Sequence, residues 1–146
     1  MKTIALRFSD SFAPSDGTIA EHCKMIDEFG FVWYGKLGAR VSKPIIDSIM
    51  DNEVPRILLI HSGKTKRYWA FVDCISYDTP PNNTIPSYYR NDAENFKTWF
   101  RITNIISASK DVLSNCKVTS SNRPLFEVSK GSMSPYFIIE TEESAF

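Results

Sequence analysis

The chain is poor in the residues that most often announce chemistry. Three cysteines, Cys23, Cys74 and Cys116, stand far apart in 146 residues. Their odd number and wide spacing predict neither a disulfide framework nor a CxxC-type zinc site. Only two histidines are present, His22 and His61. Neither stands beside a Ser or Cys in a nucleophile-elbow setting, so a catalytic triad is not expected. Gly63-Lys64-Thr65 lacks the upstream glycine of a phosphate-cradling loop. No catalytic residue, metal or cofactor is therefore expected, and the chain reads as non-enzymatic. No apolar run approaches the 18 residues of a membrane span, and Met1–Leu6 meets Arg7 too soon to form a signal peptide. These features, with so few cysteines, predict a reducing, cytoplasmic setting without membrane attachment. Formal net charge is zero, which excludes a global attraction to nucleic acid or to anionic lipid. Any such binding must use a local patch.

What the chain does contain is apolar, aromatic and locally basic. A hydrophobic share of 42% and an aromatic share of 13% describe a globular protein. The length predicts a single domain over residues 1–146. Lys36, Arg40, Lys43, Arg56, Lys64, Lys66 and Arg67 outnumber Asp47, Asp51 and Glu53 between positions 36 and 67. The end is acidic, with Glu140, Glu142 and Glu143.

Element signals follow in order. Residues 3–8 read as a strand. Thr18 and Glu21 match a capping box for a helix whose stripe is Ile19, Cys23, Ile26 and Phe29, closed by Gly30. Residues 31–34 are extended. Ser42 and Pro44 open a second helix with Ile45, Ile46, Ile49 and Met50 on its apolar face. Residues 56–61 and 68–77 read as two strands joined by a short turn. Tyr68, Ala70, Val72 and Cys74 share one face of the second, and Trp69, Phe71, Asp73 and Ile75 the other. Residues 78–92 form a long Pro/Asn-rich loop, a length often associated with function. Another strand covers 96–106 and a helical turn 109–113. Residues 125–128 read as a last strand, and 132–140 as a final turn or strand. The sum is an α+β fold: a curled mixed sheet or small barrel flanked by two or three helices.

Aromatic and basic residues interleave: Trp33, Tyr34, Trp69, Tyr88, Tyr89 and Trp99 with Lys36, Arg40, Lys64, Lys66, Arg67, Arg90, Arg101 and Arg123. Stacking combined with phosphate contact is how single bases and single strands are recognised. Simple core packing is the competing role for Trp69 and Trp99, and for Trp33 at the head of a strand.

Three pieces of sequence carry a resemblance. They are Val32-Trp33-Tyr34-Gly35 ahead of a helix; Ile57-Leu58-Leu59-Ile60-His61-Ser62-Gly63 followed by Tyr68-Trp69-Ala70-Phe71-Val72-Asp73; and Thr98-Trp99-Phe100-Arg101-Ile102 with Ser120-Ser121-Asn122-Arg123. Together they resemble the EVE and YTH-like modules of the PUA superfamily over most of residues 18–140. Ala70 departs from the glycine common there.

The resemblance implies an aromatic cage that captures a modified base. It also implies use as the N-terminal specificity module of McrBC-type modification-dependent restriction systems, a defence role. YTH relatives read N6-methyladenine in RNA. On this reading Trp33, Tyr34, Gly35, Trp69, Tyr88, Tyr89, His61 and Ser62 form the base pocket. Lys36, Arg40, Lys43, Lys64, Lys66, Arg67 and Arg123 hold phosphates. The partner is nucleic acid carrying a methylated base, with DNA favoured over RNA. The alternative is a protein-interaction or small-molecule sensor module of a larger multidomain protein.

Overall fold

The computed structural model describes residues 1–11, 13–63 and 65–142, so Lys64 and Glu143 lie outside the described residues. Its strands are β1 (Lys2–Phe8), β2 (Val32–Leu37), β3 (Arg56–His61), β4 (Arg67–Ser76), β5 (Phe96–Ser107), β6 (Lys117–Val118), β7 (Arg123–Pro124) and β8 (Tyr136–Glu140). The helices are α1 (Gly17–Phe29), α2 (Lys43–Met50), α3 (Val112–Asn115) and α4 (Leu125–Gly131), with a 3₁₀ segment at Ser87–Asn95. All eight strands of the described residues join one mixed sheet in the order β2-β5-β4-β3-β1-β8-β6-β7. β1 and β3 run parallel, and the other pairs are antiparallel.

The expected α+β architecture is present, with an open sheet in place of a closed barrel. Lys36 of β2 brings its ammonium 4.5 Å from the Tyr136 ring centroid of β8. Those strands are not neighbours in the sheet order. The sheet therefore curls until its β2 edge nears β1 and β8, and leaves a seam there without ladder hydrogen bonds.

Strand alternation sorts side chains to two faces. Leu6, Tyr34, Leu59, Val72 and Phe100 turn inward, where Ile46 and Ile49 of α2 pack on them. Leu58, Trp69, Phe137 and Ile139 turn outward beneath α3 and α4. A third cluster forms where Ile85, Tyr89 and Ala93 cover Trp99.

Four local expectations are corrected. Residues 125–128 are helical: Leu125 and Val128, three apart, both pack on the outward cluster, a helical spacing. This brings the number of flanking α-helices among the described residues to four. The capping box at Thr18 and Glu21 does not form. The backbone N–H of Thr18 instead donates to Asp10 Oδ1 at 3.0 Å, and the Thr18 hydroxyl donates to Ser9 O. Gly30 does end α1, with φ 87° and its N–H bonded to Ile26 O. Phe29 leaves the stripe for solvent, and His22 takes the buried position. The 78–92 loop is ordered largely as 3₁₀ turns, which run on to Asn95.

Candidate functional site

The seam opens into a cavity of about 480 Å³, within the roughly 300–1,000 Å³ usual for small-ligand sites. Four elements converge on it: the end of β1 (Leu6 to Ser9), Thr18 at the start of α1, Tyr34 to Leu37 of β2, and the 3₁₀ segment through Tyr88 and Tyr89. Phe96 and Pro135 complete the wall.

Phe8, Tyr34, Tyr88, Tyr89 and Phe96 are the aromatic part of the wall. The Tyr88 and Tyr89 rings meet edge-on at 4.8 Å between centroids, and Tyr89 lies 4.9 Å from Phe96. Tyr34 stands 6.4 Å from Tyr89, nearly perpendicular to it. Tyr34 and Tyr89 are buried in this array, and Tyr88 and Phe96 are half-buried. Burial raises the phenol pKa values of Tyr34 and Tyr89 above their ordinary range, so both hydroxyls stay protonated.

Behind this wall lies His22, fully buried, its ring 5.1 Å from Tyr34 and 5.3 Å from Tyr89. Nδ1 donates to Thr18 O at 2.8 Å, one helical turn back, and buried Nε2 finds no partner among the described residues. Desolvation pushes its pKa down to about 4, against the backbone hydrogen bond that raises it.

His61 works from the other side. Gly63 N–H donates to its Nδ1 at 3.0 Å, so Nε2–H donates to Asp10 Oδ2 at 2.7 Å. The Thr18 N–H, then His61, hold the Asp10 carboxyl below its ordinary value. Asp10 thus ties the β3–β4 turn to the start of α1, where Thr18 lines the cavity.

Of the residues named from sequence, Tyr34, Gly35, Lys36, Tyr88 and Tyr89 meet at the cavity. Trp33 is not on its wall: one position from Tyr34, it takes the opposite face of β2 and packs with Trp99. Trp69 is fully buried in the outward cluster, under the Arg56 guanidinium at 4.8 Å. Its face of β4 turns away from the seam, which removes it from the pocket. The His61 ring packs on Phe8, 5.1 Å away, behind the wall, while Ser62 is exposed on the turn beyond.

The basic residues divide similarly. Lys36 is 6% exposed and belongs to the cavity wall, away from the surface patch. Arg40 stacks on Tyr77, Lys43 pairs with Asp47 at 2.9 Å, and Arg123 pairs with Glu127 at 3.2 Å. Lys66 is exposed, and half-buried Arg67 donates to Thr65 O. Sequence reasoning missed Thr18, Phe8 and Phe96 as wall residues, and His22 behind them. The one available signal was the Thr18–His22 spacing of four on a helix.

Gly35 has a steric reason to be glycine. It stands opposite Trp99 in the β2–β5 register. A Cβ there would sit 2.7 Å from Phe96 Cγ and 2.9 Å from Trp99 Cζ3. Gly35→Ala is expected to cost about 1–3 kcal/mol by overpacking and to push Phe96 off the wall. Urea denaturation and tryptophan fluorescence read this out. A variant as stable as the parent, with an unchanged spectrum, would contradict the packing described.

Among the described residues, no group of three or more His, Cys, Asp or Glu is placed to hold a metal. Among the described residues, no helix is long and apolar enough to cross a membrane. The model of a family described as Pua-like matches residues 4–137. No curated protein and no solved structure matches the chain.

Proposed function

The chain belongs to the Pua-like family, whose domains are typically nucleic-acid-binding modules without catalytic activity, and from that premise we propose that it is a non-enzymatic reader of a methylated base, held in the seam cavity. The observation that carries this reading is the tyrosine-rich wall at the open edge of the sheet. Tyr88 and Phe96, half-buried beside Tyr34 and Tyr89, supply aromatic surface for a planar group, and the cavity volume of about 480 Å³ accepts one. A methyl group adds apolar surface that such a wall desolvates favourably, by about 0.8 kcal/mol per carbon. A base reaches the cavity only when extruded or already single-stranded.

Backbone phosphates then fall to Arg40, Lys66 and Arg67, which have no carboxylate partner among the described residues. Arg40 lies on the turn after β2. Lys66 and Arg67 lie at the β3–β4 turn, where Ser62 N–H bonds Phe8 O beside the cavity. Lys43 and Arg123 spend their charge on exposed carboxylates and are weaker choices. DNA is the favoured nucleic acid. A place as the specificity module of a larger restriction or defence protein in the cytoplasm extends the same proposal.

Tyr88→Ala tests it with limited damage to the fold, because Tyr88 is only half-buried. Loss of one stacking ring should weaken a methylated oligonucleotide by about 1–3 kcal/mol, roughly 5- to 150-fold. Titrations of methylated and unmodified DNA and RNA, with the parent and this variant, supply the measurement. Equal affinity for all oligonucleotides, unchanged in Tyr88→Ala, would leave the cavity without this role.

A further inference from the structure

Lys36 is the feature of the cavity that a neutral base leaves unexplained. The residue is only 6% exposed. Nζ donates to Leu37 O at 3.1 Å and Ala39 O at 2.9 Å, and lies over the Tyr136 ring. Two carbonyls and one ring face offset part of the cost of burying an ammonium, which is several kcal/mol. Among the described residues no carboxylate pairs with it. Asp92, the carboxylate on the cavity wall, is exposed and forms no ion pair with Lys36. An ammonium has three N–H donors, and two are spent on the carbonyls. Burial lowers the lysine pKa, the direction expected of an under-compensated cation.

The wall also carries Arg7, whose guanidinium donates to Ser129 O and lies against the Phe137 ring, so Lys36 is the buried wall cation with an N–H to spare. A largely apolar wall with such an ammonium selects for a ligand that is flat at one end and anionic at the other. Resting on the reading of the cavity as a base pocket, we propose that it takes a nucleotide unit, with Lys36 completing its coordination on an anionic oxygen of that unit. The oxygen belongs either to the phosphate joined to the stacked sugar or to an acidic substituent on the base. In both cases the third N–H of Lys36 meets it, and the turn at 37–39 holds the ammonium in place. Gly38, at φ 83°, lets that turn fold back over Nζ.

Calorimetric titration at low salt tests this with N6-methyl-2′-deoxyadenosine, 5-methyl-2′-deoxycytidine, the 5′- and 3′-monophosphates of each, 5-carboxy-2′-deoxycytidine, and 2-deoxyribose 5-phosphate. The parent is compared with Lys36→Met, which keeps the apolar stem against Tyr136. A charge-assisted hydrogen bond predicts a monophosphate at least about tenfold tighter than its nucleoside in the parent. That advantage should fall to about twofold or less in Lys36→Met, with a melting temperature that confirms folding. A carboxylated nucleoside that gains the Lys36-dependent advantage while the monophosphates do not places the anion on the base, and supports the proposal in that form. Nucleosides that bind as tightly as their monophosphates and the carboxylated nucleoside, or an advantage that survives in Lys36→Met, overturn it and leave the base reading standing. Lys36-dependent binding of the sugar phosphate, with no gain from any base, upholds the anion contact and overturns the base reading. No binding of any probe overturns both.

Discussion

Trp69→Ala should destabilise the protein by about 3–5 kcal/mol, the cost of truncating a fully buried tryptophan. The side chain is inaccessible to solvent and sits between the sheet and the α3–α4 layer. Its removal opens a void that neighbouring strands cannot close, because Leu58 and Ile106 beside it are held in the β3–β4 and β4–β5 registers. It also strips the Arg56 guanidinium of the ring face 4.8 Å away, at a residue itself fully buried. Against a total stability of roughly 5–15 kcal/mol, this is a large fraction. The melting temperature should fall by roughly 10 °C or more. Trp33→Ala should fall much less, since Trp33 is only partly buried. Thermal denaturation of the two variants side by side decides the matter. If Trp69→Ala melts near the parent while Trp33→Ala collapses, the assignment of faces on β2 and β4 is wrong.

Acid should weaken the fold through His22 before the carboxylates respond. The folded pKa of about 4 lies below the ordinary 6.5. Below pH 6.5 the unfolded chain binds a proton that the folded chain refuses, so stability falls with pH. The contribution is fully present above 6.5, is lost between 6.5 and about 4, and levels off below. The shift corresponds to roughly 3 kcal/mol at most. Asp10, also held below its ordinary value of 3.8, adds a loss of the same sign at lower pH. Urea midpoints measured from pH 7 to pH 4.5 should decline in the parent and stay nearly flat in His22→Gln. Equal slopes in both proteins would show that His22 is not the responsible group. Because His22 backs Tyr34 and Tyr89, the same pH window should loosen the cavity wall, seen as weaker oligonucleotide binding.

Some of this was legible in residue order because it depends on local physics. Alternation along 68–72 placed Ala70 and Val72 opposite Trp69, as strand geometry requires, whereas the register shifts at Phe71–Cys74 turn Ile75, expected on the Trp69 face, inward beside them. Gly30 marked the end of α1, since few other residues take a positive φ without strain. The apolar run 57–60 and the face of α2 read correctly for the same reason, and the α+β class followed from them. Tyr34, Gly35, Tyr88 and Tyr89 stood out as aromatics beside a glycine and on a polar loop, and the fold gathers all four at one cavity.

Other features exist only in three dimensions. Residue order named both Trp33 and Tyr34, but only the inward curl of β2 decides that Tyr34 meets the cavity and Trp33 does not. Leu125–Gly131 is too short for periodicity to separate helix from strand, and packing under the sheet settles it. Thr18 receives its cap from Asp10, a loop residue eight positions earlier, because the loop must close against the turn that carries His61. Lys36 reads as one more surface cation until the sheet curls and lays β2 beside Tyr136, a contact across 100 positions of chain. The seam, its tyrosine wall and its buried ammonium are products of that curl, since none of the elements that form them are neighbours both in sequence and in the sheet.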